Sequence, residues 1–163
     1  MSSFQFYGKI KGKKQGAFKG ESKRESRTDW FEGVALRYKS FVPTEATQGV
    51  AAGRVRHEPV VVTKDWGECS PQILQAMWDD EVLDEVGFEF VEADGLGNPE
   101  AVYETITLRK ATVVSVERHT DKLRANATEG EAATRELEDV GFKFEEIVVK
   151  NVRGKTVAQF SRG

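Results

Sequence analysis

Apolar and polar residues alternate with a period of two along most of this chain, and with a helical period in one short stretch. Phe4, Phe6 and Ile10 stand among polar or small residues and predict a first strand. Trp30 to Tyr38 repeats the pattern, with Val34, Leu36 and Tyr38 on one face. Val60, Val61 and Val62 are stiff, β-branched and extended, and Pro59 sits just before them, where a missing N–H least harms a ladder. Val86, Phe88 and Phe90 alternate with Glu85, Gly87 and Glu89. Val102, Glu104, Ile106 and Leu108 open a long strand that continues through Val113, Val114 and Val116. Val140, Phe142 and Phe144 alternate again, and Thr156 to Phe160 closes the series. About seven strands with turn signals between them predict a β-sandwich or a closed barrel.

The helical stretch follows Trp66-Gly67. Ser70 suits an N-cap and Pro71 the first helical position, where a missing N–H costs nothing. Ile73, Leu74, Met77 and Trp78 then recur at helical spacing and are expected to form one buried face. A fully buried Trp78 truncated to alanine costs ~3–5 kcal/mol. The expected fold is therefore mainly β: a small two-sheet β-barrel or sandwich, one flanking α-helix and long loops, with residues 1–163 as a single domain. Gly8, Gly12, Gly16 and Gly20 make Lys11 to Glu25 turn-rich, and Asp94 to Pro99 is a turn cluster. Phe41 to His57, with Pro43, Gly49, Ala51, Ala52 and Gly53, is too long and irregular for an ordinary connection. His119 to Glu138 is polar and reads as a second long loop with one helical turn. Val86-Gly87-Phe88-Glu89-Phe90 resembles Val140-Gly141-Phe142-Lys143-Phe144, which half-solvated strands reach by convergence.

Composition places the chain among water-soluble globular proteins: of 163 residues, 39% are hydrophobic and 31% charged. No apolar run approaches the ~20 residues of a membrane span, and the N-terminus has no apolar region of a secretory signal. Cys69 is alone, so no internal disulfide forms and a reducing compartment fits. Synthesis in the cytoplasm follows, and export by a signal-free route remains open.

Charge changes the picture more. Residues 1–28 carry Lys9, Lys11, Lys13, Lys14, Lys19, Lys23, Arg24 and Arg27 against Glu21 and Glu25. Residues 65–108 carry no Lys, Arg or His, and hold Asp65, Glu68, Asp79, Asp80, Glu81, Asp84, Glu85, Glu89, Glu92, Asp94, Glu100 and Glu104. Oppositely charged regions on one chain suit a head-to-tail contact that closes into a ring. Lys9, Lys11, Lys13 and Lys14 would meet Asp79, Asp80, Asp84 and Glu85 of the next copy. Pairing within one copy is the competing reading. Asp79 and Asp80 sit at a helix C-terminus, where the dipole disfavours them.

No catalytic constellation stands out. Gly8 to Gln15 lacks the spacing of a phosphate loop. Cys69 has only His57 and His119 as candidate bases and reads as a buried thiol. One cysteine and two histidines make no zinc site. The carboxylates of 79–104 are too many and too solvated to single out an acid–base pair. Phe4, Phe6 and Tyr7 precede the basic cluster and read as core, not as a stacking platform for nucleic acid. The residues point away from an enzyme and from any cofactor or metal, and towards a binding or structural role.

Several segments, in this order, resemble one family. They are Lys9-Ile10-Lys11-Gly12 with Gln15-Gly16 and Lys19-Gly20-Glu21; Gly53 to His57 with Pro59 to Lys64; and Ser70 to Ala76. Phe88 to Val91, Thr105 to Leu108 and Glu138 to Phe142 complete the set. Together they resemble the haemolysin-coregulated proteins, the tube subunits of type VI secretion systems. The resemblance implies a hexameric ring that stacks into a hollow tube inside a contractile sheath and is fired with a spike protein at its tip. It implies a baseplate as a further partner, small effectors carried in the lumen, secretion without a signal peptide, and no catalytic residues. It also implies that Phe41 to His57 reaches the adjacent ring, with Val42, Pro43, Val50, Arg54, Arg56 and His57 as its contact residues. A tail-tube protein of a phage-like contractile particle, and a monomeric β-barrel that binds nucleic acid through its basic end, are the alternatives.

Overall fold

The alternating segments become strands, and the strands become one sheet that returns on itself. The computed structural model describes residues 6–22, 24–44, 54–122 and 134–162. Its strands are β1 (Phe6–Gly12), β2 (Gly16–Ala17), β3 (Phe31–Arg37), β4 (Ser40–Phe41), β5 (Arg56–His57), β6 (Val60–Asp65), β7 (Leu83–Glu92), β8 (Ala101–Lys122), β9 (Thr134–Lys143), β10 (Glu146–Asn151) and β11 (Thr156–Ser161). The helix, α1, is Ser70–Trp78. The sheet runs β11-β10-β8-β7-β1-β3-β6-β9 and closes because β9 also pairs with β8. The fold is mainly β, with two faces of the closed sheet packed on one core and α1 on its flank, as the sequence pattern implied.

Strand β8 makes the closure. Glu104 to Arg109 lie between β7 and β10, and Thr112 to Lys122 pair with β9. Between the two halves Lys110 takes a left-handed backbone (φ 48°), and the register shifts between Val113 and Ser115. Such a bulge bends a strand and steepens its twist, which lets β8 serve both layers. Opposite the bulge is Gly141, where a Cβ would come within 2.4 Å of Ser115 Oγ.

Inside, Phe88 meets Phe6, Phe31 and Phe142 edge-on, with ring centroids 5.8, 6.5 and 6.3 Å away. β1 and β3 pack these rings reciprocally. Phe6 is opposite Gly33, and Phe31 is opposite Gly8. A Cβ on either glycine would lie 2.1 Å from the facing ring. Gly8 is therefore a seat for an aromatic ring and not a turn residue.

Three expectations need correction. Trp78 is not in the core: it is 68% exposed. The buried stripe of α1 is Ile73 and Ala76, with Met77 packed against it. Trp78 lies five residues beyond Ile73, about 140° round a helix of 3.6 residues per turn, and faces outward. Ser70 is not the N-cap but the first helical residue, and Cys69 precedes it. Residues 119–122 and 134–138 are strand, not loop: β8 and β9 run on as a ladder from Arg118↔Glu138 to Lys122↔Thr134. Strand β10 was also absent from the sequence pattern.

Candidate functional site

Three constructions of this fold bear on what it can hold or touch. The first is a buried ionic pin between α1 and the sheet. Val60, Val62 and Lys64 share one face of β6, so alternation places Lys64 in the core, where it is 0% exposed. Its cross-strand partner is Glu138, also 0% exposed. Lys64 Nζ lies 3.2 Å from Glu138 Oε2 and 2.9 Å from Glu21 Oε1, and donates to the Asp65 carbonyl at 2.6 Å. Ser70 Oγ donates to Glu138 Oε2 (2.8 Å) and accepts from Gly67 N–H (2.9 Å), which ties the start of α1 into the same group. Arg118, stacked 4.0 Å over Trp66, reaches Glu138 Oε1 at 3.5 Å. Burial alone works against the ammonium, but the Cys69 sulfur, Glu21 and Glu138 outweigh it and hold Lys64 above its ordinary value. Burial pushes the Cys69 thiol up to about 12, so it is a packed, unreactive group at neutral pH.

The second is the base of the long loop. Ser40 pairs with His57 and Phe41 with Arg56, and Glu58 N–H donates to the Lys39 carbonyl at 2.9 Å. A short ladder thus closes the loop stem. His57 stacks on Tyr38, its Nδ1 2.7 Å from the Tyr38 hydroxyl, and packs against Phe144 and Phe160 at 5.2 and 4.3 Å between centroids. Burial, and secondarily Arg162, hold His57 below its ordinary value. Around this anchored ring Phe41, Val42, Val55, Arg54 and Arg56 are exposed, and Pro43 is half-buried. Val50 lies outside the described residues.

The third is the β1–β7 face. Antiparallel pairing sets Lys11 opposite Glu85 and Lys9 opposite Gly87, and Lys13 N–H donates to the Val82 carbonyl at 2.9 Å. The basic and acidic regions of the sequence are therefore neighbours in one copy, which charge counting could not reveal. Among the described residues, Lys9, Lys11, Lys13 and Lys14 make no ion pair. Asp79, Asp80, Asp84 and Glu85 are exposed. The end of α1 is built tightly: Asp80 N–H donates to the Met77 carbonyl and Glu81 N–H to the Ala76 carbonyl, with Asp80 at φ 52°. This is a Schellman cap with aspartate where glycine is usual. Glu81, 2% exposed, fastens it to the β1–β2 turn by accepting from Lys14 N–H and Gln15 N–H, both at 2.9 Å. Alongside, Arg27 lies over Tyr7 and Trp30 and pairs with Glu89, while Tyr7 donates to Glu100 at 2.7 Å.

Among the described residues the arrangement offers fixed surfaces. Among the described residues no three metal-ligating side chains gather, and no helix is long and apolar enough to cross a membrane. The sequence pattern missed the ionic pin and the Glu81 clasp, although Lys64 and Glu138 fall on apolar-face positions of their strands and carried that signal.

Comparison with known proteins gives these surfaces a setting. The family model described as "Type VI secretion system effector, Hcp" matches residues 7–150. The "Major exported protein" of Pseudomonas aeruginosa PAO1 is 29% identical over 128 residues, spanning 78% of this chain and 72% of that protein. Among solved structures, Hcp1 of Escherichia coli EAEC 042 superposes with a TM-score of 0.82 at 21% identity, covering 98% of this chain and 99% of that one. The secreted protein Hcp3 of Pseudomonas aeruginosa does so at 0.74 and 21% identity, covering 96% and 98%. These structural likenesses carry the fold.

Proposed function

The chain belongs to the Hcp family of type VI secretion proteins, and from that premise we propose that it is the subunit of the secretion tube. Six copies close into a ring, and rings stack into a hollow tube within a contractile sheath seated on a baseplate. Contraction drives the tube out of the cell behind a spike protein, with small effectors held in its lumen. The chain is made in the cytoplasm and leaves without a cleaved signal. The observation that carries this reading is the family match over 7–150, joined to a fold likeness that spans nearly the whole chain.

Two features of the fold support it. A sheet closed on itself has few free edges, so copies associate through side chains and loops and not by open-ended strand addition. The stem of the loop after β4 is locked by the β4–β5 ladder and the His57 cluster. We assign it to contact with the adjacent ring through Val42, Pro43, Val50, Arg54, Arg56 and His57. The family is not an enzyme family, and the tube role asks for no catalysis. The test is export: a tagged copy appears in the medium of cells with an intact sheath and is absent when the sheath gene is deleted. Equal release from both strains would overturn the reading.

A further inference from the structure

We propose that Trp78, flanked by Asp79 and Asp80, is a knob that seats in the Trp30–Gly87 groove of a second copy of this chain. The inference rests on the ring reading above and names the contact that closes the ring.

The knob is unusual for its exposure. Trp78 ends α1 with 68% of its surface in solvent, and Val82, four residues on, is exposed as well. A tryptophan brings 150–250 Å² of contact area on roughly two rotatable bonds, and tryptophan is enriched where interfaces concentrate their energy. The knob is also held in place: the Schellman cap and the Glu81 clasp fix the chain immediately after it. A residue fixed beforehand loses little entropy on docking.

The groove lies on the outer face of β1, β7 and β8, with a volume of about 420 Å³. That is within the roughly 300–1,000 Å³ of sites that take a ring-sized group. Gly87 forms its floor, where a Cβ would find nothing within 4 Å, and Trp30 forms a wall. Thr105 and Thr107 line the far side. The opening is therefore real space and not a gap filled by a neighbouring side chain.

Charge selects the occupant. Lys9 stands opposite a glycine, its ammonium 5.6 Å from the Trp30 ring, with no carboxylate across from it. Of the groove's two acids, Glu89 is engaged by Arg27 and Glu85 is set opposite Lys11. Lys9 thus complements Asp79 and Asp80, which sit where the helix dipole disfavours them; within its own copy Asp79 accepts a hydrogen bond from Gln75 Nε2 at 2.8 Å. Knob and groove are different places on one chain, which permits the head-to-tail addition that closes into a ring.

The experiment compares light-scattering mass and negative-stain images for four proteins: wild type, Trp78→Ala, Asp79→Lys/Asp80→Lys, and the latter combined with Lys9→Glu/Lys11→Glu. Trp78→Ala is expected to keep its circular dichroism and melting point, since the indole is outside the core, yet assemble at least about tenfold more weakly. The aspartate reversal weakens assembly in the same way, and the combined reversal restores it. In a fifth protein, the Trp78→Cys/Gly87→Cys variant, oxidation links neighbouring copies into a ladder, with Cys69 buried and silent. Wild-type rings that persist unchanged in Trp78→Ala and give no cross-linked ladder would overturn this contact and leave the tube reading standing. A wild-type chain that stays monomeric at every concentration would overturn both.

Discussion

Lys64→Met removes the cation from the centre of the buried pin and leaves its partners in place. Glu138 has no exposure, and its carboxylate would keep only Ser70 Oγ and the more distant Arg118. Breaking a buried ion pair from one side costs about 3–5 kcal/mol, because the remaining charge is stranded away from water. Against a total stability of roughly 5–15 kcal/mol that is a large share. For a chain of this length the melting point should fall by roughly 6–20 °C. Removing both charges, as Lys64→Met/Glu138→Leu, strands much less and should recover at least about half the loss. The folded lysine is held above its ordinary 10.5. Its contribution is therefore complete below that pH and is lost only as pH rises through the folded value, so the single-variant penalty should be flat from about pH 7 to 9. Urea unfolding of the wild type and both variants measures all of this. A Lys64→Met cost below about 1 kcal/mol, or a double variant worse than the single one, would refute the pin.

Other outcomes follow from the same geometry. Gly33→Ala drives a methyl into the Phe6 ring and should cost about 1–3 kcal/mol, while Gly87→Ala meets open space and should stay within roughly 0.5 kcal/mol; paired denaturant titrations compare them. Asp80→Gly relieves a left-handed aspartate and should stabilise by about 0.5–1 kcal/mol, read as a raised melting point. His57 is held below its ordinary 6.5, so it favours the fold above that pH and the benefit fades as pH falls past it. His57→Gln should lose this part of the acid sensitivity, seen in melting points between about pH 7 and 5. Deleting Pro43 to Arg54 should leave rings but abolish stacking in electron micrographs; intact tubes from that variant would sink the loop assignment.

The strands were legible because one face of each meets the core and the other meets water. Phe88 and Phe142, each two residues after a valine, point inward and touch across the core, as alternation requires. The α1 start was legible from Ser70-Pro71. Trp78 departs from the expected face because the apolar residues of this short helix do not share one stripe, which narrows to Ile73, Ala76 and Met77. The far ends of β8 and β9 carry polar residues on both faces, so no period marks them; only their mutual ladder makes them strands. The apolar part of β10 is only Ile147 to Val149, and its strand character comes from the β8 edge it pairs with. The charge asymmetry was plain in the sequence, but β1–β7 pairing, which interleaves the two signs, is a fact of topology. Lys64 and Glu138 could have been found by asking which charged residues fall on apolar-face positions of neighbouring strands.

The central claim is that this chain is a ring-forming tube subunit, and the most direct measurement is its mass in solution, with images of the same peak. Light scattering on a sizing column should give six times the 18.2 kDa of one chain, and negative stain should show hollow six-fold rings. A single 18.2-kDa species across a wide concentration range, with no rings in the images, would contradict the account.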